Sequence, residues 1–135
     1  MVILALDYGE KRIGAAVGNS DLKTSTPIKP LKNISKELLI FEIKKLIDDY
    51  EISLVVIGYP LHMDGSESLM SKRVKKFRNL IQRESGLEVK LIDERLTSFE
   101  AEEMLKDSRG DIRKSKYLID SVSAHIILIE YLEKK

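Results

Sequence analysis

Val2-Ile3-Leu4-Ala5-Leu6-Asp7, then Tyr8-Gly9-Glu10-Lys11-Arg12, then Ile13-Gly14-Ala15-Ala16-Val17-Gly18: this is how the chain begins after Met1. The first run is apolar at every position up to its terminal carboxylate. That is the pattern of a strand buried on both faces, in the middle of a sheet. A charged turn follows, then a run of small residues, so the pieces read as a hairpin. An acid at the C-terminal end of a central strand lies where open α/β sheets place their ligands. Taken alone, Asp7 is equally a turn residue that bonds its own backbone.

Further along, Pro27 and Pro30 bracket a short extended piece suited to a sheet edge. From Ser35 the period becomes helical, with Leu39, Ile43, Leu46, Ile47 and Tyr50 on one face. Leu54-Val55-Val56-Ile57 reads as another buried strand, stopped by Gly58 and Pro60. Met70, Val74, Phe77 and Ile81 mark a second helix that ends at Ser85-Gly86, with Lys72, Lys75, Lys76 and Arg83 on its other side. Residues 89–92 form the next strand, and Thr97-Ser98-Phe99-Glu100 has capping-box spacing for a third helix. A final helix is expected to bury Ile119, Val122, Ile126 and Ile129. With no repeats and no linker, residues 1–135 are expected to form one α/β domain.

The 135 residues, 43% hydrophobic and 33% charged, suffice for a core and argue against disorder. No apolar run is long enough to span a bilayer, and the start lacks the features of a signal peptide, so a cytoplasmic protein is expected. The absence of cysteine removes disulfides, thiol nucleophiles and Cys-based zinc sites. His62 and His125 are the only imidazoles, so a metal here would be held by oxygen, which favours Mg²⁺ or Mn²⁺. The net charge of +1 conceals an uneven distribution. Residues 71–83 carry Lys72, Arg73, Lys75, Lys76, Arg78 and Arg83 without an acid. Arg109, Arg113, Lys114 and Lys116 precede Asp120, diluted only by Asp111. A near-neutral total thus hides a basic face, which is either solvated surface or a contact for nucleic acid.

Two further acids stand out. Glu94, in Asp93-Glu94-Arg95, follows a strand. It belongs either to a site or to an exposed loop in which Arg95 pairs with an acid ahead of a helix capped at Thr97. Asp120 opens the last helical stretch, where a buried carboxylate needs a partner or a metal; an acid in a first helical turn is also favoured by the helix dipole alone. If the fold assembles Asp7, Glu94 and Asp120, their repulsion requires a counter-charge, usually a divalent cation. Lys11 and Arg12, at the hairpin tip, either touch phosphates or are solvated. His125 is off the face of Asp120 and reads as structural, whereas the role of His62 is open. The glycines at the start match neither a dinucleotide-binding fingerprint nor a P-loop.

Together these signals resemble the YqgF (RuvX) family of the RNase H-like superfamily, described as Holliday junction resolvases and as pre-16S rRNA processing nucleases. The resemblance runs from Leu4 to about Tyr131. It rests on Leu6-Asp7-Tyr8-Gly9 with Lys11-Arg12-Ile13-Gly14, on Gly58 through Gly65, on Asp93-Glu94-Arg95-Leu96-Thr97, and on Lys116 through Asp120 leading into Ser123-Ala124-His125-Ile126-Ile127-Leu128. It implies an RNase H-like α/β fold: a central five-stranded mixed sheet, the first three strands antiparallel, with helices on both sides. It also implies a phosphodiesterase whose catalytic and metal-binding residues are Asp7, Glu94 and Asp120. Two Mg²⁺ or Mn²⁺ ions would be shared, with Asp7 bridging. Lys11, Arg12, Lys72, Lys75, Lys76, Arg95 and Lys116 would contact the nucleic-acid backbone.

The implied substrate is an rRNA precursor cut at the 5′ end of pre-16S rRNA, the protein acting as a monomer or homodimer away from membranes. Two alternatives stay open: resolution of branched DNA, and a non-catalytic RNA-binding assembly factor. An actin-like ATPase needs a second phosphate loop, for which the chain has no room. The chain departs from the family pattern at Tyr59 and His62, where Leu and Asn are expected. Gly58 also stands on the strand that carries the second carboxylate in RuvC resolvases, so Glu94 would serve from the neighbouring strand.

Overall fold

The computed structural model describes residues 1–93 and 118–134, with the backbone alone for 118–120. The elements run β1 (Val2–Asp7), β2 (Arg12–Asn19), β3 (Thr24–Lys32), α1 (Lys36–Tyr50), β4 (Leu54–Tyr59), α2 (Leu69–Ser85), β5 (Val89–Asp93) and α3 (Leu118–Glu133). They build the five-stranded mixed sheet implied by the sequence, in the order β3-β2-β1-β4-β5. β1–β2 and β2–β3 are antiparallel, whereas β1–β4 and β4–β5 are parallel. The wholly apolar β1 is the central strand, with Ile3, Leu4, Ala5 and Leu6 inaccessible to solvent.

Alternation along the strands divides the core in two. Leu4 and Leu6 pack with Val55, Ile57 and the inner faces of α1 and α2. Ile3, Ala5 and Val56 pack on the opposite side, against α3. Local chemistry fixes the helix ends. The Ser35 hydroxyl accepts the Leu38 N–H at 3.2 Å and starts α1. Ser68 and Ser71 form a reciprocal cap on α2 at 2.9 and 2.7 Å, and the Ser68 hydroxyl also donates to the Pro60 carbonyl at 2.7 Å. Gly86 ends α2 at φ 76°, a conformation glycine adopts without strain.

Three details differ from the sequence reading. Tyr50, at the last position of α1, is exposed. Gly58 does not stop β4: it pairs with Ile92, Tyr59 pairs with Asp93, and the strand ends at Pro60. On α3, Val122, Ile126 and Ile129 are only partly covered, and the buried set is Ser121, Ala124, His125, Ile127, Leu128, Glu130 and Leu132. Leu128 approaches β2 closely enough to require a glycine: a Cβ at Gly18 would collide with the Thr24 carbonyl oxygen and lie 2.8 Å from Leu128 Cδ2. The capping signal at residues 97–100 and the basic run at 109–116 lie outside the described residues. Among the described residues, no helix is long and apolar enough to cross a membrane.

Candidate functional site

Because β1, β4 and β5 are mutually parallel, their C-terminal ends share one edge of the sheet. Leu6 is level with Ile57, and Ile57 with Leu91. Asp7, Gly58 and Ile92 therefore form the next row, and two strand spacings separate β1 from β5 by roughly 10 Å. Asp7 is half-buried and has the strand parity of Ile3 and Ala5, which is the side covered by α3.

The start of α3 is fastened to the same region by one side chain. The Ala15 N–H donates to Ser121 Oγ at 3.1 Å, and that hydroxyl donates to the Ile28 carbonyl at 2.8 Å. Ala15 and Ile28 are partners across β2 and β3, beside a register shift between Ile13 and Ala15. The serine inserts between a backbone donor and acceptor there, and its own backbone leaves helical geometry at φ −127°, ψ 24°. Ala15 is also the β1 partner of Leu6, and Gly14 that of Asp7. The backbone of Asp120, directly before Ser121, is thereby held beside the strand pair that ends in Asp7.

Of the three candidate carboxylates, the fold brings Asp7 and the Asp120 backbone to one end of the sheet. Glu94, with Arg95 and Lys116, lies outside the described residues, as does the Asp120 side chain. Among the described residues, no three His, Asp or Glu side chains converge. The donors that remain candidates are all carboxylate oxygens, which fits a hard cation such as Mg²⁺ or Mn²⁺.

The hairpin tip beside Asp7 is pinned by Asn33, a residue that sequence reasoning passed over. Its side-chain amide donates to the Gly9 carbonyl at 2.8 Å, and its N–H donates to the Lys11 carbonyl at 3.0 Å. Gly9 is needed there, since a Cβ would collide with the Arg12 carbonyl oxygen. The tip leaves Lys11 and Arg12 exposed. After β4, the turn around His62 is closed by its own bonds. Asp64 Oδ1 accepts from the Ser66 N–H at 2.9 Å and the Ser66 hydroxyl at 2.6 Å, and these bonds hold its carboxyl below the usual range. His62 itself is exposed.

On α2, Lys72, Lys75 and Lys76 are exposed, as expected. Lys75 lies 3.4 Å from Glu67, and Arg73 Nη1 bonds Glu10 Oε1 at 2.6 Å. Lys76 lines a cavity of about 430 Å³ together with Lys36, Arg73 and Arg83, whereas Lys72 and Lys75 are not part of that lining. His125 is structural, as its position implied. It is buried, its Nδ1 is 2.7 Å from Ser25 Oγ, and burial pushes its pKa down to about 4.

Comparison with known proteins converges on one family. A family model described as RuvX, Holliday junction resolvase, matches residues 1–134. A protein of Shewanella denitrificans named “Putative pre-16S rRNA nuclease” is 40% identical over 133 residues, covering 98% of this chain and 94% of the relative. A protein of Nitrosospira multiformis with the same name is 36% identical over 132 residues, covering 98% and 87%. Among solved structures, T. thermophilus RuvC in complex with a Holliday junction substrate superimposes with a TM-score of 0.65 at 13% identity, over 99% of this chain and 96% of that one. The fowlpox virus Holliday junction resolvase superimposes with a TM-score of 0.58 at 17% identity, over the full length of both. At those identities the two structures speak for the fold, which is that of the RNase H-like resolvases.

Proposed function

The chain belongs to the RuvX family, and on that basis we propose that residues 1–135 act as one nuclease domain that hydrolyses phosphodiester bonds with Mg²⁺ or Mn²⁺. The observation that carries this reading is the Ser121 bridge, which holds the start of α3 beside the strand pair ending in Asp7. Asp7, Glu94 and Asp120 would hold the metal. When bound, the divalent ions supply activation of a water and stabilisation of the leaving oxygen during in-line displacement.

The chain's own residues orient and bind. Strand parity aims Asp7 to the α3 side of the edge. On β5, Val89 and Leu91 pack on the α1 and α2 side and Ile92 on the α3 side, which favours Glu94 over Asp93 as the partner of Asp7. Lys11 and Arg12, on a tip pinned by Asn33, lie next to the edge and would grip phosphates flanking the cut; Arg95 and Lys116 are proposed for the same role. Such contacts position the backbone without reading its sequence.

The favoured substrate is an rRNA precursor, cut at the 5′ end of pre-16S rRNA in the cytoplasm, because the relatives that match nearly the whole chain carry that name. A second reading, cleavage of branched DNA, is favoured by the family description itself. Cleavage assays on pre-16S rRNA and on a four-way DNA junction, run side by side with Mg²⁺, separate the two. Product from the rRNA precursor with the wild type, and none with Asp7→Asn, is the expected result. Complementation of a depleted strain by Asp7→Asn would sink the catalytic reading and favour a non-catalytic assembly factor.

A further inference from the structure

The cavity of about 430 Å³ between α1 and α2 opens on the α1/α2 side of the sheet, away from the Ser121 bridge, yet it begins at Tyr8, the residue after Asp7. Its walls carry four cations: Lys36 in the first turn of α1, and Arg73, Lys76 and Arg83 along one flank of α2. Among the described residues, no carboxylate lines it. Arg73 is neutralised by Glu10 at the rim, but among the described residues no ion pair engages Lys36, Lys76 or Arg83. Exposed like charges gathered this way repel weakly through solvent, and an anion between them turns that repulsion into attraction. The N-terminal end of α1 adds the positive pole of its dipole on the same side.

The remaining lining narrows the chemistry. The floor is apolar, formed by Leu39 and Phe77, and Tyr8 packs on Phe77 with ring centroids 5.0 Å apart. Asn33, whose amide already pins the hairpin tip, forms part of the wall. Cations along one wall with an aromatic ring at the end suit a phosphodiester chain carrying bases more than a lone phosphate. The volume is that of a site for one small ligand, which admits a nucleotide or two and excludes a duplex. Arg73 and Arg83 are ten residues apart on α2, about 15 Å of helix, long enough for more than one phosphate.

We infer that this groove holds a single-stranded segment of nucleic acid leading away from Asp7, its phosphates on Lys36, Lys76 and Arg83. The inference rests on the nuclease reading and assigns it a path for the strand beyond the cut. It also divides the basic residues of α2: Lys76 belongs to the groove, whereas Lys72 and Lys75 lie outside it.

The test is fluorescence anisotropy with a labelled, short single-stranded oligoribonucleotide over a range of salt concentrations. It compares the full chain with Lys36→Ala/Lys76→Ala/Arg83→Ala and with Lys72→Ala/Lys75→Ala. The triple variant is expected to bind roughly tenfold or more weakly, with its log–log salt slope shallower by about 2, at about 0.7 per single-strand phosphate lost. The double variant is expected to change the slope less. An unchanged slope in the triple variant, with normal wild-type binding, would overturn the groove and leave the nuclease reading intact. A wild type that binds no oligonucleotide would overturn both. Displacement by a nucleoside monophosphate as effective as by the oligonucleotide would replace the strand with a small ligand and also overturn the inference. All three substituted side chains are exposed; if the triple variant nonetheless melts lower, Lys76→Gln and Arg83→Gln, each alone, carry the same comparison.

Discussion

The Ser121 hydroxyl accepts the Ala15 N–H at 3.1 Å, joining two residues 106 positions apart in the sequence. Through the same atom it reaches the Ile28 carbonyl at 2.8 Å, so one buried side chain satisfies a donor on β2 and an acceptor on β3. It also fastens the start of α3, where Asp120 precedes Ser121, to β2 and β3. Ser121→Ala removes the partner of the buried Ala15 N–H and of the part-buried Ile28 carbonyl and is expected to cost about 1–3 kcal/mol. Urea unfolding measures this directly, and cleavage should fall further than Ser121→Thr, which keeps the hydroxyl. Equal stability of wild type and Ser121→Ala would show that the bridge is not needed.

His125 gives the fold a pH dependence. The residue is 3% exposed, and among the described residues its Nε2 has no hydrogen-bond partner. Burial lowers its pKa from 6.5 to about 4, so the fold favours the neutral ring. That contribution is complete above pH 6.5 and is lost as pH falls from 6.5 towards 4, because the unfolded chain takes up the proton first. Between pH 7.5 and pH 5 the loss is about 2 kcal/mol. His125→Asn is expected to flatten this part of the stability profile measured by urea unfolding. A profile just as steep in the variant would assign the effect to other groups.

Much of the architecture was legible in the sequence, for reasons that also explain what was not. The wholly apolar β1 marked the sheet centre, and Met70, Val74, Phe77 and Ile81 fixed the phase of α2 because charged residues fill its other side. The phase of α3 was misread. Apolar residues lie on several sides of that helix, so no polar face sets its orientation, and its buried residues include Ser121 and His125, held by hydrogen bonds to β2 and β3 rather than chosen for hydrophobicity. The strand-end position of Asp7 could be read locally, but its proximity to the start of α3 depends on a bridge across 106 residues. The cluster of cations on α2 was evident, whereas its division into groove and outer face required α1.

Strand alternation orients Asp93 at the end of β5. Asp93 pairs in register with Tyr59 and has the parity of Val89 and Leu91, on the α1 and α2 side. Residue 94 lies outside the described residues; we propose that it continues the alternation, with the parity of Ile92 and Asp7. Glu94→Gln is therefore expected to abolish cleavage and weaken Mn²⁺ binding in calorimetry, with Asp93→Asn changing both only modestly. The reverse ranking would mean that the site takes its carboxylate from the other side of the strand.

The most direct measurement of the central claim is anomalous diffraction from a crystal of this protein soaked in Mn²⁺. The account predicts anomalous density at the C-terminal edge of the sheet, in contact with Asp7, Glu94 and Asp120 together, and its loss in Asp7→Asn. Density elsewhere on the molecule, or none at that edge with Mn²⁺ bound, would contradict it.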